Sequence, residues 1–91
     1  MHHVYILRSR VDPTQTYVGY TRDIESRLAK HNKGDSPHTA KYRPWELMFF
    51  CAFPNKQTAL DFEKYLKSHS GKAFASKRLI KGTHSSTMRP Q

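Results

Sequence analysis

The chain is poor in cysteine, glycine and acid: one Cys, four Gly and only seven Asp and Glu among 91 residues. A lone Cys51 rules out an intramolecular disulfide, so a reducing, cytoplasmic setting is expected. Its place in Phe49-Phe50-Cys51-Ala52-Phe53 marks it as a small buried hydrophobe. The longest apolar run, Leu47 to Phe53, is far short of the roughly 20 residues that a membrane helix needs. Met1-His2-His3-Val4 lacks the pattern of a signal peptide. No glycine-rich phosphate loop is present, and no Ser-His-Asp or Cys-His nucleophile signature. The six histidines show no paired zinc spacing.

The shortage of acid leaves a large positive excess. Sixteen Lys and Arg give a formal charge of +9. Such an excess opposes compaction by self-repulsion and draws in polyanions, which points to nucleic acid as the partner. A merely solvated basic surface is the plainer alternative. A membrane surface is disfavoured, because no long basic helix carries a Trp or Phe face. The length fits one domain, expected over residues 1–82, with a flexible tail at 83–91. With 36% hydrophobic residues, nearly every apolar cluster must serve the core, so functional side chains should project from core elements.

Val4-Tyr5-Ile6-Leu7 and Thr16-Tyr17-Val18-Gly19-Tyr20 read as the two strands of a hairpin, with Asp12-Pro13 in the turn. Regular alternation would put Tyr5 and Tyr17 on one face. Thr21 or Asp23 can cap a helix that Gly34 stops near Lys33. In it, Arg27 and His31 lie four apart, a ridge beside the apolar Ile24 and Leu28. Asp35 to Pro44 reads as a loop. Trp45 to Phe53 is a strand apolar on both alternating faces, Leu47, Phe49, Cys51 and Phe53 on one, Met48, Phe50 and Ala52 on the other. A strand buried on both sides calls for helices on both faces of the sheet.

Asn55 caps a further helix to about Ser68, with Ala59, Phe62 and Leu66 as its buried stripe. Glu63 falls inside that arc. A carboxylate near a core is costly, so it must be paired with a cation, protonated or bound to a metal. A last helix is expected from about Gly71 to Ile80, carrying Lys72, Lys77 and Arg78.

Two hairpin tyrosines, an Arg and a His one turn apart, and a carboxylate at the core edge together resemble the GIY-YIG nuclease family. The likeness is to its compact bacterial members, related to the catalytic module of the excinuclease, over about residues 3–80. His3-Val4-Tyr5 stands for the first triplet, without its glycine, and Tyr17-Val18-Gly19 for the second. Thr21 to Asn32 resembles the helix with the catalytic Arg and His, and Phe62-Glu63-Lys64-Tyr65-Leu66-Lys67 the segment with the acidic metal ligand.

The resemblance implies an α+β fold: a three-stranded antiparallel sheet, first strand central, flanked by helices on both faces. It implies a metal-dependent DNA endonuclease with Tyr5, Tyr17, Arg27, His31 and Glu63 as catalytic residues. Glu63 would hold Mg2+ or Mn2+, a hard cation suited to a carboxylate. Arg27 would fork onto phosphate oxygens, Tyr5 would act as general base with His31 relaying its proton, and Tyr17 would position phosphate or water. For DNA grip the sequence offers Arg22, Lys41, Tyr42, Arg43, Lys67, Lys72, Lys77 and Arg78. Rings between cations, Tyr42 and neighbouring Trp45 among them, suit exposed bases and hence single-stranded or branched DNA. A repair-protein partner fits such a substrate. A non-cleaving nucleic-acid-binding module on the same fold, or a basic adaptor for an acidic protein, are the alternatives.

Overall fold

The computed structural model describes residues 1–80, so the tail expected at 83–91 lies outside the described residues. The elements are β1 (His2–Ser9), β2 (Thr16–Thr21), α1 (Ile24–Lys33), α2 (Pro37–Ala40), β3 (Trp45–Phe53), α3 (Lys56–Lys67) and α4 (His69–Arg78). The strands form one antiparallel sheet in the order β2-β1-β3. The fold is α+β.

The central strand explains the layering. Val4, Tyr5, Ile6 and Leu7 are all buried, so their alternating side chains need cover on both faces. Val4 and Ile6 pack with Ala59 and Leu66 of α3 and Ala75 of α4. Tyr5 and Leu7 pack with Trp45, Tyr17 and Leu47, and with Ile24 and Leu28 of α1. Helices thus lie on both faces, as expected. Burying each of the larger side chains is worth about 1.5–3 kcal/mol.

Capping sets the helix ends. The Asp23 carboxylate accepts from the Ser26 N–H at 3.1 Å, and Gly34 ends α1 with φ 85°, a left-handed conformation that favours glycine. Asn55 caps α3 through the Thr58 N–H. The last helix starts two residues before the expected Gly71, because the Ser68 hydroxyl takes the Gly71 N–H and opens α4 at His69. The segment expected as a loop contains the short α2, begun by Pro37 at a position where its missing N–H costs nothing.

One expectation fails instructively. β3 is not a regular strand buried on two faces. A bulge sets Ile6 opposite Phe49 but Leu7 opposite Leu47, leaving Met48 as the extra residue. Leu47 therefore joins Tyr5 and Leu7, while Phe49, Cys51 and Phe53 join Val4 and Ile6. Beyond the bulge, the face shared with Tyr5 is open: Phe50 is 55% exposed and Ala52 is exposed. The Trp45 and Leu47 end of the strand packs in the core with Ile24 and Leu28 of α1, whose cover does not extend to Phe50 and Ala52.

Candidate active site

Tyr5 and Gly19 are partners across β1 and β2. A Cβ at position 19 would fall on the Tyr5 ring, so glycine gives that ring room to lie across β2. Tyr17 pairs with Leu7 and so shares the face of Tyr5, with 6.2 Å between the two ring centroids. The same-face expectation holds.

α1 brings the next two groups. The His31 ring lies 4.7 Å from that of Tyr17 and 6.1 Å from that of Tyr5. Tyr5 Oη and His31 Nε2 are 3.1 Å apart, within hydrogen-bond reach. On the other side of the imidazole, Nδ1 lies 3.0 Å from Thr39 Oγ1. Arg27 is half-buried on the same helix. With Tyr17, Lys30, His31, Asp35 and Ser36 it lines an open cavity of about 230 Å³.

Electrostatics set the resting protonation. Burial, then the neighbouring Tyr17, pushes the Tyr5 phenol up to about 12, although the Arg27 guanidinium pulls the other way. His31 is lowered from the ordinary imidazole value by burial and by the positive charge of Arg27. At neutral pH the phenol therefore keeps its proton, and the imidazole is neutral with a lone pair to offer.

Glu63 comes from the opposite layer, on α3, where Ala59 and Leu66 anchor its helix against β1. Its negative charge is felt at Tyr5. Its side chain is 19% exposed and pairs with Lys67 Nζ at 3.0 Å, a pair four residues apart on the helix. An ion pair four residues apart on a helix is worth only about 0.3–0.5 kcal/mol. Among the described residues, no three His, Cys, Asp or Glu side chains are placed to share a metal. One carboxylate still fits Mg2+ or Mn2+, since Mg2+ typically binds one or two carboxylates, keeps several waters and takes substrate phosphate oxygens.

The basic residues divide. Arg22, Lys41 and Arg43 are exposed, and Lys41 Nζ lies 5.3 Å from the centre of the half-buried Tyr42 ring. Arg43 packs on Gly34 and donates to the Lys33 carbonyl at 3.1 Å. Trp45 is buried, its indole N–H donating to the Thr39 carbonyl at 2.8 Å, so it packs and does not stack bases. Lys72, Lys77 and Arg78 belong to α4, whose packing against Val4 and Ile6 sets it on the other side of the sheet from Tyr5, Tyr17 and His31.

Sequence reasoning missed Lys30 and Thr39. Lys30 had a signal, since it follows Arg27 by three residues and such pairs share a helix face. Thr39 had none: it sits in a segment read as a loop, and only the fold turns its hydroxyl inward.

A family model described as the GIY-YIG catalytic domain matches residues 1–78. The chain belongs to the GIY-YIG family. It is similar to the structure-specific endonuclease subunit SLX1 of Debaryomyces hansenii, 39% identical over 71 residues, covering 70% of this chain and 20% of that protein. The subunit SLX1 of Malassezia globosa is 40% identical over 73 residues, covering 75% of this chain and 16% of that protein. The chain thus spans only a fifth or less of the length of these two relatives. The UPF0213 protein SSP2268 of Staphylococcus saprophyticus is 36% identical over 70 residues, covering 76% of this chain and 83% of that protein. A solution structure of the UPF0213 protein BH0048 from Bacillus halodurans matches with 34% identity and a TM-score of 0.49, over 80% of this chain and 79% of that one.

Where the first GIY-YIG triplet has its glycine, this chain has His3. The side chain is half-buried 6.3 Å from the Phe50 ring, and its Nδ1 is buried without a partner among the described residues. The departure lies at the open end of the sheet, two residues from Tyr5, and leaves the Tyr5–His31 contact intact.

Proposed function

We propose that this GIY-YIG domain hydrolyses phosphodiester bonds in DNA, with Mg2+ or Mn2+ at Glu63, on single-stranded or branched substrates in repair or recombination. The observation that carries the reading is the pairing of a protonated Tyr5 with a neutral His31 at 3.1 Å, beside Arg27 and within the field of Glu63.

A bound divalent ion supplies a Lewis acid for a phosphate oxygen and lowers the pKa of a bound water. The protein residues do the rest. Arg27 faces the open cavity and carries a fixed charge in a forked donor geometry, suited to the charge that grows on phosphate oxygens. Losing one such donor typically costs on the order of 10²-fold or more in rate. Tyr17, half-buried at the same cavity, positions a phosphate or a water through its hydroxyl.

Tyr5 takes the proton of the attacking water. A phenol near 12 is a poor base alone, so it must release its own proton as it accepts one. His31 Nε2 receives it. Lys30, exposed on the cavity rim, adds a cation for the DNA backbone. Arg22, Lys41 and Tyr42 extend the grip on this reading, and Lys67 is freed for phosphate when Glu63 takes a cation. The SLX1 relatives are structure-specific endonuclease subunits, which supports a substrate of particular strand structure and a partner subunit. No helix among the described residues is long and apolar enough to cross a membrane, which leaves room for the cytoplasmic setting proposed here.

The test is cleavage of a panel of single-stranded, duplex and branched DNAs with Mg2+, Mn2+ or chelator. Metal-dependent cuts, most frequent on branched or single-stranded DNA, support the reading. Binding without cleavage of any member would point to the non-cleaving module instead.

A further inference from the structure

We propose that Thr39 is a positioning residue that fixes the tautomer of His31, so that the unprotonated Nε2 faces Tyr5. The inference rests on the hydrolytic reading above and deepens it.

A neutral imidazole has one N–H and one lone pair, and exchanging them reverses what each side can do. His31 is 4% exposed, with Tyr5 Oη at 3.1 Å from Nε2 and Thr39 Oγ1 at 3.0 Å from Nδ1. In the resting site, before a substrate and its water enter, solvent has little access to supply a missing partner. Both neighbours are themselves buried, Tyr5 at 1% and Thr39 at 2% exposure. The direction of the whole chain must therefore be settled by these groups alone.

Counting donors settles it. Thr39 Oγ1 has the Ser36 carbonyl at 3.5 Å, a long, weak contact but one toward which the hydroxyl hydrogen can turn. With its hydrogen directed there, Oγ1 offers lone pairs to His31, and Nδ1 donates. Nε2 is then bare and accepts the Tyr5 O–H. The opposite tautomer puts N–H on Nε2, aimed at the Tyr5 oxygen. The buried phenol hydrogen would then have no acceptor within hydrogen-bond distance among the described residues. A buried donor left without a partner is the costlier arrangement. The chain runs from Tyr5 through His31 and Thr39 to the Ser36 carbonyl, each hydrogen passed the same way.

Thr39 is placed firmly enough for this. Its carbonyl accepts from the Trp45 indole at 2.8 Å, and its N–H donates to Ser36 at 3.2 Å. Asn32 grips both backbone groups of Trp45, with its amide donating to the carbonyl at 3.3 Å and its oxygen accepting the Trp45 N–H. Trp45, the buried residue that the sequence offered for base stacking, is thus a brace for the turn that carries Thr39. Proton transfer from Tyr5 would form an N–H bond at Nε2 and leave an imidazolium, whose Nδ1–H still donates to Thr39. No heavy atom need move for the transfer.

The experiment combines two readouts. In the 15N spectrum of the whole chain, free of metal and DNA, His31 should show a protonated Nδ1 and an unprotonated Nε2. Thr39→Val keeps the shape but loses the hydroxyl, and should shift the population toward protonated Nε2. Thr39→Ser should restore the wild-type pattern. On a branched DNA with Mg2+, Thr39→Val should lower kcat by about tenfold or more with little change in KM, and Thr39→Ser should recover most of it. A wild-type His31 protonated on Nε2 would overturn the inference. So would an unchanged tautomer or an unchanged kcat in Thr39→Val. If Thr39→Val does not fold, the wild-type spectrum and the Thr39→Ser rate decide. If wild type cuts no DNA, the hydrolytic reading fails, while the spectra still report on the tautomer.

Discussion

At Tyr5 the requirements of packing and chemistry collide. Burial raises the phenol to about 12, away from any useful basicity at neutral pH, and the same burial lowers His31 into an acceptor. The two shifts complement each other across 3.1 Å. The sign of the pH dependence follows. His31 must be neutral to accept, so cleavage should be level from neutral to mildly alkaline pH and fall on acidification. The midpoint should lie below the ordinary imidazole value of 6.5, because His31 is lowered, with Arg27 one turn away and Tyr5 and Tyr17 facing it. A kcat/KM profile, which reports the free protein, with its acidic limb above 6.5 would contradict this role. Stability should move the same way: the unfolded chain binds the proton first, so the contribution of His31 is present above 6.5 and is lost as pH falls through its lower folded value. Of the site residues, those on regular periods were legible in the sequence. Arg27 and His31 show as a helical ridge, and Glu63 as a carboxylate in an apolar arc. Thr39 was not, since its importance lies in a contact made eight residues away from His31 across a turn.

Among the elements, the hairpin and helices α1 and α3 could be read from alternation, from 3.6-residue periodicity and from caps such as Asp23, Gly34 and Asn55. The bulge in β3 could not. Met48 is an ordinary strand residue, and only pairing with β1 makes it the extra one, moving Leu47 to the face of Tyr5. Four residues of α2 are likewise too few for a periodic signal. The pairing of β1 with β2 carries a prediction. Gly19→Ala should force the Tyr5 ring off its place over β2, because the new Cβ and the ring cannot share that space. Over-packing of this kind costs about 1–3 kcal/mol. Cleavage should fall further than thermal stability accounts for, since Tyr5 Oη would leave His31. Near-normal kcat in a folded Gly19→Ala variant would show that the Tyr5–His31 contact is dispensable.

Over the whole molecule, charge and layering set the manner of DNA binding. The formal +9 attracts the backbone from any side, but the cations are not gathered at the site. Arg27 and Lys30 line its cavity, whereas Lys72, Lys77 and Arg78 sit on the α4 side of the sheet. Affinity should fall steeply and linearly in log Kd against log salt, with a slope of about 0.9 per phosphate neutralised on duplex DNA. Combined removal of Lys72 and Lys77 should reduce that slope while leaving kcat on bound DNA unchanged. Loss of kcat instead would place α4 in the catalytic groove. On the proposed reading, Glu63, half-buried at the edge of the core, serves chemistry rather than the fold. Its most direct test is to compare wild type with Glu63→Gln on a branched DNA across a Mg2+ titration, following cleavage and binding together. Wild type should cleave in a metal-dependent way and Glu63→Gln should not, with folding and DNA affinity retained. Equal cleavage by the two proteins would contradict it.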